Sequence, residues 1–282
     1  MKQAMIFAAG LGTRLKPLTD HKPKALVSVG GEPLLKRVIL RLKECGFQHI
    51  VVNVHHFSGQ IIDYLKANDN FGVDLSISDE TSRLLDTGGG LRHAAPLFDP
   101  SSPVLIHNVD ILSNVDFDSF YHFSPFVPCP DCGVPHKAGA LLMVSWRPTK
   151  RYLIFQPTTM RLVGWTHLDT HEVVSPYEEL KQGDFKPTAC ADGSGRLVFS
   201  DGRTAFDMYA FSGLHVVYPT LFKAMDHWPD AFPILQFYLS VCREIPIKGV
   251  FNPALKLIDV GKLTTLEQAS AFLKNQAPTP LS

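Results

Sequence analysis

Residues 7–26 read FAAGLGTRLKPLTDHKPKAL, an apolar run that breaks into two glycines, an arginine and a series of prolines and lysines. The run over residues 4–9 ends at Gly10, as expected of a buried strand opening onto a loop. Gly10 and Gly12 let the backbone approach a phosphate closely, and the amides of Leu11, Gly12, Thr13 and Arg14 can then point at its oxygens. Arg14 supplies a planar fork suited to phosphate, and Lys24 a mobile point charge. Together these residues describe a triphosphate site. It is neither of two better-known phosphate loops. GxxxxGK[ST] is absent, and the third glycine of the dinucleotide fingerprint is replaced by Leu15.

The pattern continues outward from this loop. Leu34, Leu35, Val38, Ile39 and Leu42 recur at helical spacing, with Lys36, Arg37, Arg41 and Lys43 on the other face and Gly46 as a stop. Residues 50–54 are β-branched and strand-like, and Ser58 is placed to cap a helix carrying Ile61, Ile62 and Leu65. Val73, Leu75 and Ile77 alternate as a third strand, and residues 104–106 form a fourth that ends at Asn108 and Asp110. This alternation predicts an α/β fold, a Rossmann-like, mostly parallel mixed sheet flanked by helices, with ligands at the carboxyl ends of the strands. The second half is less regular. Residues 124–137 are rich in proline and cysteine, and residues 165–205 in turn formers. Both read as excursions from the sheet, because strand patterns resume at 140–144 and 208–217. Thr264 or Thr265 is placed to cap a last helix through Leu266, Ala269 and Leu273, and the final APTPLS is expected to be disordered.

The composition narrows the classes of partner. The 282 residues carry 27 Lys plus Arg against 27 Asp plus Glu, so there is no net field to attract nucleic acid or an anionic membrane. Within residues 10–24, however, Arg14, Lys16, Lys22 and Lys24 stand against Asp20 alone. That local charge of +3 suits an anionic small molecule. No stretch of about 18 apolar residues predicts a membrane span, and the N-terminus reads as a first strand, not a signal peptide. Five cysteines, an odd number, without an export signal fit reduced thiols in a cytoplasm.

Taken in order, the glycines, Arg14, Pro17, Thr19, Pro23 and Lys24 resemble GxGTRxxPxTxxxPK, the signature of the sugar-1-phosphate nucleotidyltransferases. DTGGGL at 86–91 resembles that family's nucleotide-side loop, HNVDIL at 107–112 places Asp110 at its first metal-binding aspartate, and LIDVGK at 257–262 places Asp259 at its second. FSGLHV at 211–216 extends the likeness. The resemblance implies one domain over residues 1–275, with a nucleotide-binding half (1–123), a sugar-phosphate half with insertions (124–261) and a C-terminal helix (262–275), before a disordered tail (276–282). It implies transfer of a nucleotidyl group from an NTP to a sugar 1-phosphate, with Mg²⁺ held by Asp110 and Asp259. Gly10, Leu11, Gly12, Thr13, Arg14 and Lys24 would bind the phosphates, Arg14 and Lys24 acting catalytically. Glu80, Gly88 and Gly89 would serve the base and ribose, and Asn108 would assist near the metal.

On the sugar-phosphate side the expected residues are Arg151, Ser212 and Gly213. Because the loop reads TGGG where many guanylyltransferases have GTAG, the likeness favours UTP with an N-acetylated amino sugar such as MurNAc 1-phosphate, a cell-wall recycling reaction. The alternatives are GTP with mannose or heptose 1-phosphate, and a regulatory subunit that binds a nucleotide sugar without turnover. One motif lies outside this scheme. Cys129, Cys132 and His136 offer three ligands of a small zinc site, with Cys190 or a histidine as a possible fourth, and equally describe a plain reduced loop.

Overall fold

The computed structural model of the protein describes residues 1–129, 132–189 and 194–274. Cys190 and the tail 276–282 therefore lie outside the described residues. The chain forms two compact units, one of Met1–Phe123, Asp226–Phe232 and the chain from Ala254, the other of Ser124–Met225 and Pro233–Pro253.

The first unit opens with β1 (Gln3–Phe7), α1 (Leu34–Glu44), β2 (His49–Val54), α2 (Ser58–Ala67), β3 (Asp74–Asp79), α3 (Asp86–Ala94), β4 (Val104–Asn108), β5 (Ile111–Ser113) and α4 (Phe117–Tyr121). β1 pairs in parallel with β2 on one side and β4 on the other, and β2 with β3, so the spatial order is β3-β2-β1-β4. Burial on both faces explains the unbroken apolar runs: every residue of β2 is buried, as are the first four residues of both β1 and β4. The apolar stripe of α1 (Leu34, Leu35, Val38, Ile39, Leu42) is buried in full, as its 3.6-residue spacing predicts.

Two local details differ from the sequence expectation. Helix α2 begins at Ser58 itself, behind Phe57 at φ 54°, and no side chain caps it. Residues 86–91, expected as a loop, form the first turns of α3. Three consecutive glycines occur in that helix because a Cβ at each would collide with a neighbour. A Cβ on Gly89 would lie 2.2 Å from the Asp230 carbonyl oxygen, and one on Gly88 would lie 2.2 Å from the Phe232 ring.

The second unit is largely antiparallel. It comprises β6 (Phe126–Val127), β7 (His136–Lys137), β8 (Ala140–Ser145), β9 (Arg151–Phe155), β10 (Leu162–His167), β11 (Val173–Val174), α5 (Glu178–Gln182), β12 (Phe185–Ala189), β13 (Gly195–Phe199), the long β14 (Thr204–Val217), α6 (Pro219–Ala224), α7 (Ile234–Val241) and β15 (Ile247–Phe251). β14 pairs with β8, β9 and β13, while β15 joins β8 in parallel. The turn-rich residues 165–205 thus form short hairpins, β10–β11 and β12–β13. Tyr152, Ile154, Val163, Leu180, Leu197 and Met208 make their common core. The chain then returns to the first unit with β16 (Leu257–Asp259), antiparallel to β5, and ends in α8 (Leu266–Lys274). Thr265 lies in the turn before α8, where its hydroxyl donates to the Lys262 carbonyl at 2.8 Å.

Candidate active site

The order β3-β2-β1-β4 reverses direction between β1 and β4, and at such a switch point the loops leaving the two strands open a crevice at their carboxyl ends. The register sets Phe7 beside Asn108 there. A cleft of about 540 Å³ follows, lined by residues 7–10, Lys24, Asn53, Glu80, Leu84, Asp86, Thr87, Asn108, Asp110 and Ala231.

Within the glycine loop the two glycines have different physical reasons. Gly12 sits at φ 66°, where a Cβ would also lie 3.0 Å from the Thr19 methyl and 3.1 Å from the Lys24 Cβ. The Thr19 hydroxyl donates to the Gly12 carbonyl at 2.8 Å and fixes that contact. Gly10 has ordinary backbone angles, and a Cβ there would meet nothing within 4 Å. Since Gly10 lines the cleft, the room it leaves is room for a ligand. Among the described residues the amides of Leu11, Gly12 and Thr13 have no backbone acceptor, which leaves donors for an anion.

The charged residues gather where β5 and β16 pair. Ile111 is opposite Asp259 in that ladder, and the Val260 amide donates to the Asp110 carbonyl at 2.8 Å. Asp110 and Asp259 are thereby held side by side. Lys24 forms an ion pair with Asp110, both side chains largely buried. Arg14 reaches the same place: a Cβ on Gly261 would come 2.6 Å from Asp259 Oδ1 and 2.8 Å from Arg14 Nη2. Partial desolvation, and then the neighbouring Asp110 carboxylate, raise the pKa of Asp259 above the usual range, with Lys24 and Arg14 opposing. Two adjacent carboxylates suit a hard divalent cation such as Mg²⁺, which takes one or two carboxylates and leaves further positions to water and phosphate.

Beneath the cleft runs a buried chain of hydrogen bonds. Asn53 Oδ1 accepts from the amides of Ala8 at 2.7 Å and Ala9 at 3.3 Å, and its Nδ2 donates to Glu80 Oε1 at 2.7 Å. Glu80 Oε2 accepts from the Leu85 amide at 3.1 Å. Glu80 therefore ties the glycine loop to the entry of α3. Asn53 was not singled out from the sequence, although a lone amide inside the β-branched HIVVNV is the signal of a buried polar link. Gly88 and Gly89 are buried in α3 with their amides on the Phe232 carbonyl, at 2.8 and 3.3 Å, while Asp86 and Thr87 ahead of them line the cleft.

Arg151, Ser212 and Gly213 belong to the second unit. Arg151 opens β9 and, with Arg147, Thr149, Trp165, Glu172 and Gln236, lines a separate pocket of about 550 Å³. Neither arginine has an acidic partner within 4 Å among the described residues. Ser212 and Gly213 form a bulge in β14, Gly213 at φ 80°, with the Leu214 amide donating to the Ser212 hydroxyl at 3.2 Å.

With this geometry in hand, the likeness to known proteins is specific. Residues 3–124 match the nucleotidyl transferase family. N-acetylmuramate alpha-1-phosphate uridylyltransferase of Neisseria meningitidis serogroup B is 40% identical over 126 residues, which is 45% of this chain and 54% of that one. The enzyme of the same name from Caulobacter vibrioides is 43% identical over 111 residues, 39% of this chain and 46% of that one. Each match spans about half the length of the relative. Over the whole chain, a putative glucose-1-phosphate thymidylyltransferase from Bacillus anthracis, solved with sucrose, superposes with a TM-score of 0.68 at 16% identity, covering 98% of this chain and 96% of that one. Residues 3–124 thus carry the pattern of the nucleotidyl transferase family, and the chain as a whole has the fold of the nucleotide-diphospho-sugar transferases.

Proposed function

We propose that the protein transfers a nucleotidyl group from an NTP to a sugar 1-phosphate, releasing pyrophosphate. The observation that carries this reading is the convergence of Arg14, Lys24, Asp110 and Asp259 beside the switch-point cleft. A binding subunit would have no need of so complete a set of charges. The reaction joins two polyanions: a phosphate oxygen of the sugar attacks the α-phosphorus of the NTP in line, and pyrophosphate leaves. That oxygen is already anionic near neutral pH, the second pKa of a phosphate monoester being about 6, so no general base is required. What the site must do is align the reactants and neutralise their charge.

The chain's residues divide this task. The amides after Gly10 and the Arg14 guanidinium hold the β- and γ-phosphates and stabilise the departing pyrophosphate. Lys24 neutralises the α-phosphate region and keeps the Asp110 carboxylate in place. Asp110 and Asp259 hold Mg²⁺, which when bound supplies Lewis-acid charge to the reacting phosphates. Asn53 and Glu80 keep the loop and the α3 entry in register, and Asp86 and Thr87 stand at the nucleotide end of the cleft. The second-unit pocket, with Arg147 and Arg151, takes the sugar phosphate.

For the substrates we infer UTP and MurNAc 1-phosphate or a related amino sugar, in a cytoplasmic reaction of cell-wall recycling; the relatives from Neisseria meningitidis and Caulobacter vibrioides, matched over 126 and 111 residues, carry that enzyme name. A panel of NTPs crossed with sugar 1-phosphates and followed by pyrophosphate release tests both levels. Turnover with UTP and MurNAc 1-phosphate is expected. Turnover only with GTP and mannose or heptose 1-phosphate would change the substrate, and no release with any pair would leave a non-catalytic binding subunit.

A further inference from the structure

We propose that Cys129, Cys132 and His136 form a Zn²⁺ site, separate in chemistry and in sequence from the carboxylate pair. Their ligand atoms lie within 4.8 Å of one another, and Cys132 Sγ is 3.3 Å from His136 Nε2. Tetrahedral zinc with bonds of about 2.3 Å to sulfur and about 2.0–2.1 Å to nitrogen needs ligand atoms roughly 3.4–3.8 Å apart. Small side-chain adjustments separate the observed triangle from that geometry. Two thiolates and an imidazole select zinc over the hard cations that carboxylates prefer.

The local backbone is built to hold the triangle. The Gly133 amide donates to the Cys129 carbonyl at 3.0 Å, and Gly133, directly after Cys132, adopts φ 70°. The strands β6 and β7 then return the chain, with Val127 opposite His136, so the histidine comes back beside the residues leading into Cys129. At the base, Lys248 donates to the carbonyls of Ser124 and Phe126 at 2.9 and 2.8 Å, and the Ala138 amide donates to that of Pro125 at 2.9 Å. Val127 is buried at the base of the excursion, but its outer part has little apolar packing. Phe126 is 52% and Val134 61% exposed, and a hairpin of two paired positions is too short to be stable by itself. A metal clip supplies the missing constraint, as in small domains that lack a core.

Binding is written as two thiols plus Zn²⁺ giving a dithiolate complex and two released protons, the neutral imidazole completing the three protein ligands. Among the described residues the cluster comprises these three ligands, which leave one position of a tetrahedral ion to a further donor. Full-length reduced protein, stripped with a chelator and titrated with Co²⁺ in Mg²⁺-free buffer, tests this assignment. Expected are one thiolate-bound Co²⁺ per chain, read from saturation of a thiolate-to-cobalt charge-transfer band, its displacement by one Zn²⁺ and release of two protons per zinc. Cys129→Ser and Cys132→Ser should each abolish the band, and His136→Asn should alter it, with folding checked by circular dichroism and Mg²⁺-dependent turnover retained. Absence of the band in verified reduced protein, or its persistence in the Cys129→Ser/Cys132→Ser double variant, would overturn the site. Both outcomes are independent of whether the carboxylate pair works as proposed.

Discussion

The cleft of the first unit and the pocket of the second are of similar size, about 540 and 550 Å³, yet they hold charge in opposite ways. In the first, charges of both signs are fixed by their neighbours: Lys24 is paired with Asp110, Asp110 lies beside Asp259, and Asn53 and Glu80 lock the backbone below. In the second, Arg147 and Arg151 share the pocket with Glu172 but form no ion pair within 4 Å among the described residues. A preorganised, internally compensated site suits the place where bonds change, because its groups need not reorganise as charge develops. Cations not held in an ion pair suit capture of an anion whose arrival supplies the partner charge. The difference predicts that damage to the first site appears in kcat, and damage to the second in KM.

The sharpest break in that comparison is at Lys24. Lys24→Ala should lower kcat by about 10²–10³-fold, the scale seen when one fixed donor to a developing charge is removed. It should also leave Asp110 without its cation. Steady-state pyrophosphate release measures the effect, and a kcat within threefold of wild type would remove Lys24 from the reacting centre. Arg151→Ala should give a smaller and different defect, a rise of about 10–100-fold in KM for the sugar phosphate with kcat and the KM for NTP little changed. Such a factor corresponds to about 1.4–2.8 kcal/mol, within the usual worth of a charge-assisted hydrogen bond. A loss confined to kcat would contradict the division of labour between the two pockets.

The glycine loop sharpens the same contrast at the level of stability. Gly12→Ala forces a Cβ into a left-handed position against Thr19 and Lys24, and should cost about 1–2 kcal/mol of folding stability in a denaturant titration. Gly10→Ala meets open space and should leave stability unchanged while weakening NTP binding. Equal stability losses in the two variants would show that both glycines are there only for the fold.

How much of this was legible in the sequence differs between the units for a physical reason. In the first, the central strands β1, β2 and β4 are buried on both faces and the loops after β1 and β4 leave from their carboxyl ends, so apolar runs and the positions of Gly10, Asn108 and Asp110 follow one rule. In the second, β10–β13 are short antiparallel hairpins with mixed burial, whose turn-rich sequence gives no sustained period. The stretch 86–91 reads as a loop by its likeness to a family loop and is helical instead, although glycine disfavours helices. Here its small size is required by the chain at 230–232, a tertiary contact that spacing does not encode. The link through Asn53 was hidden likewise, since its partners lie 45 residues before it and 27 after it.

The smallest expected effect on stability, and the most diagnostic of a functional carboxylate, is the pH response of Asp259. Its folded-state pKa is raised, so the native protein holds that proton more tightly than the unfolded chain does. The ionised form therefore costs stability at neutral pH, and that cost is relieved as pH falls through the raised pKa. Magnesium competes with the same proton, so Mg²⁺ affinity should decline over that window, by less than tenfold per pH unit. Asp259→Asn removes the charge at nearly constant size. In chelator-treated protein it should unfold at the same temperature as wild type or higher, while calorimetric Mg²⁺ binding in the presence of NTP and Mg²⁺-dependent turnover are lost. A variant that unfolds earlier in chelator would make Asp259 a structural partner of Arg14 and Lys24, and the carboxylate pair would then have no need of a metal.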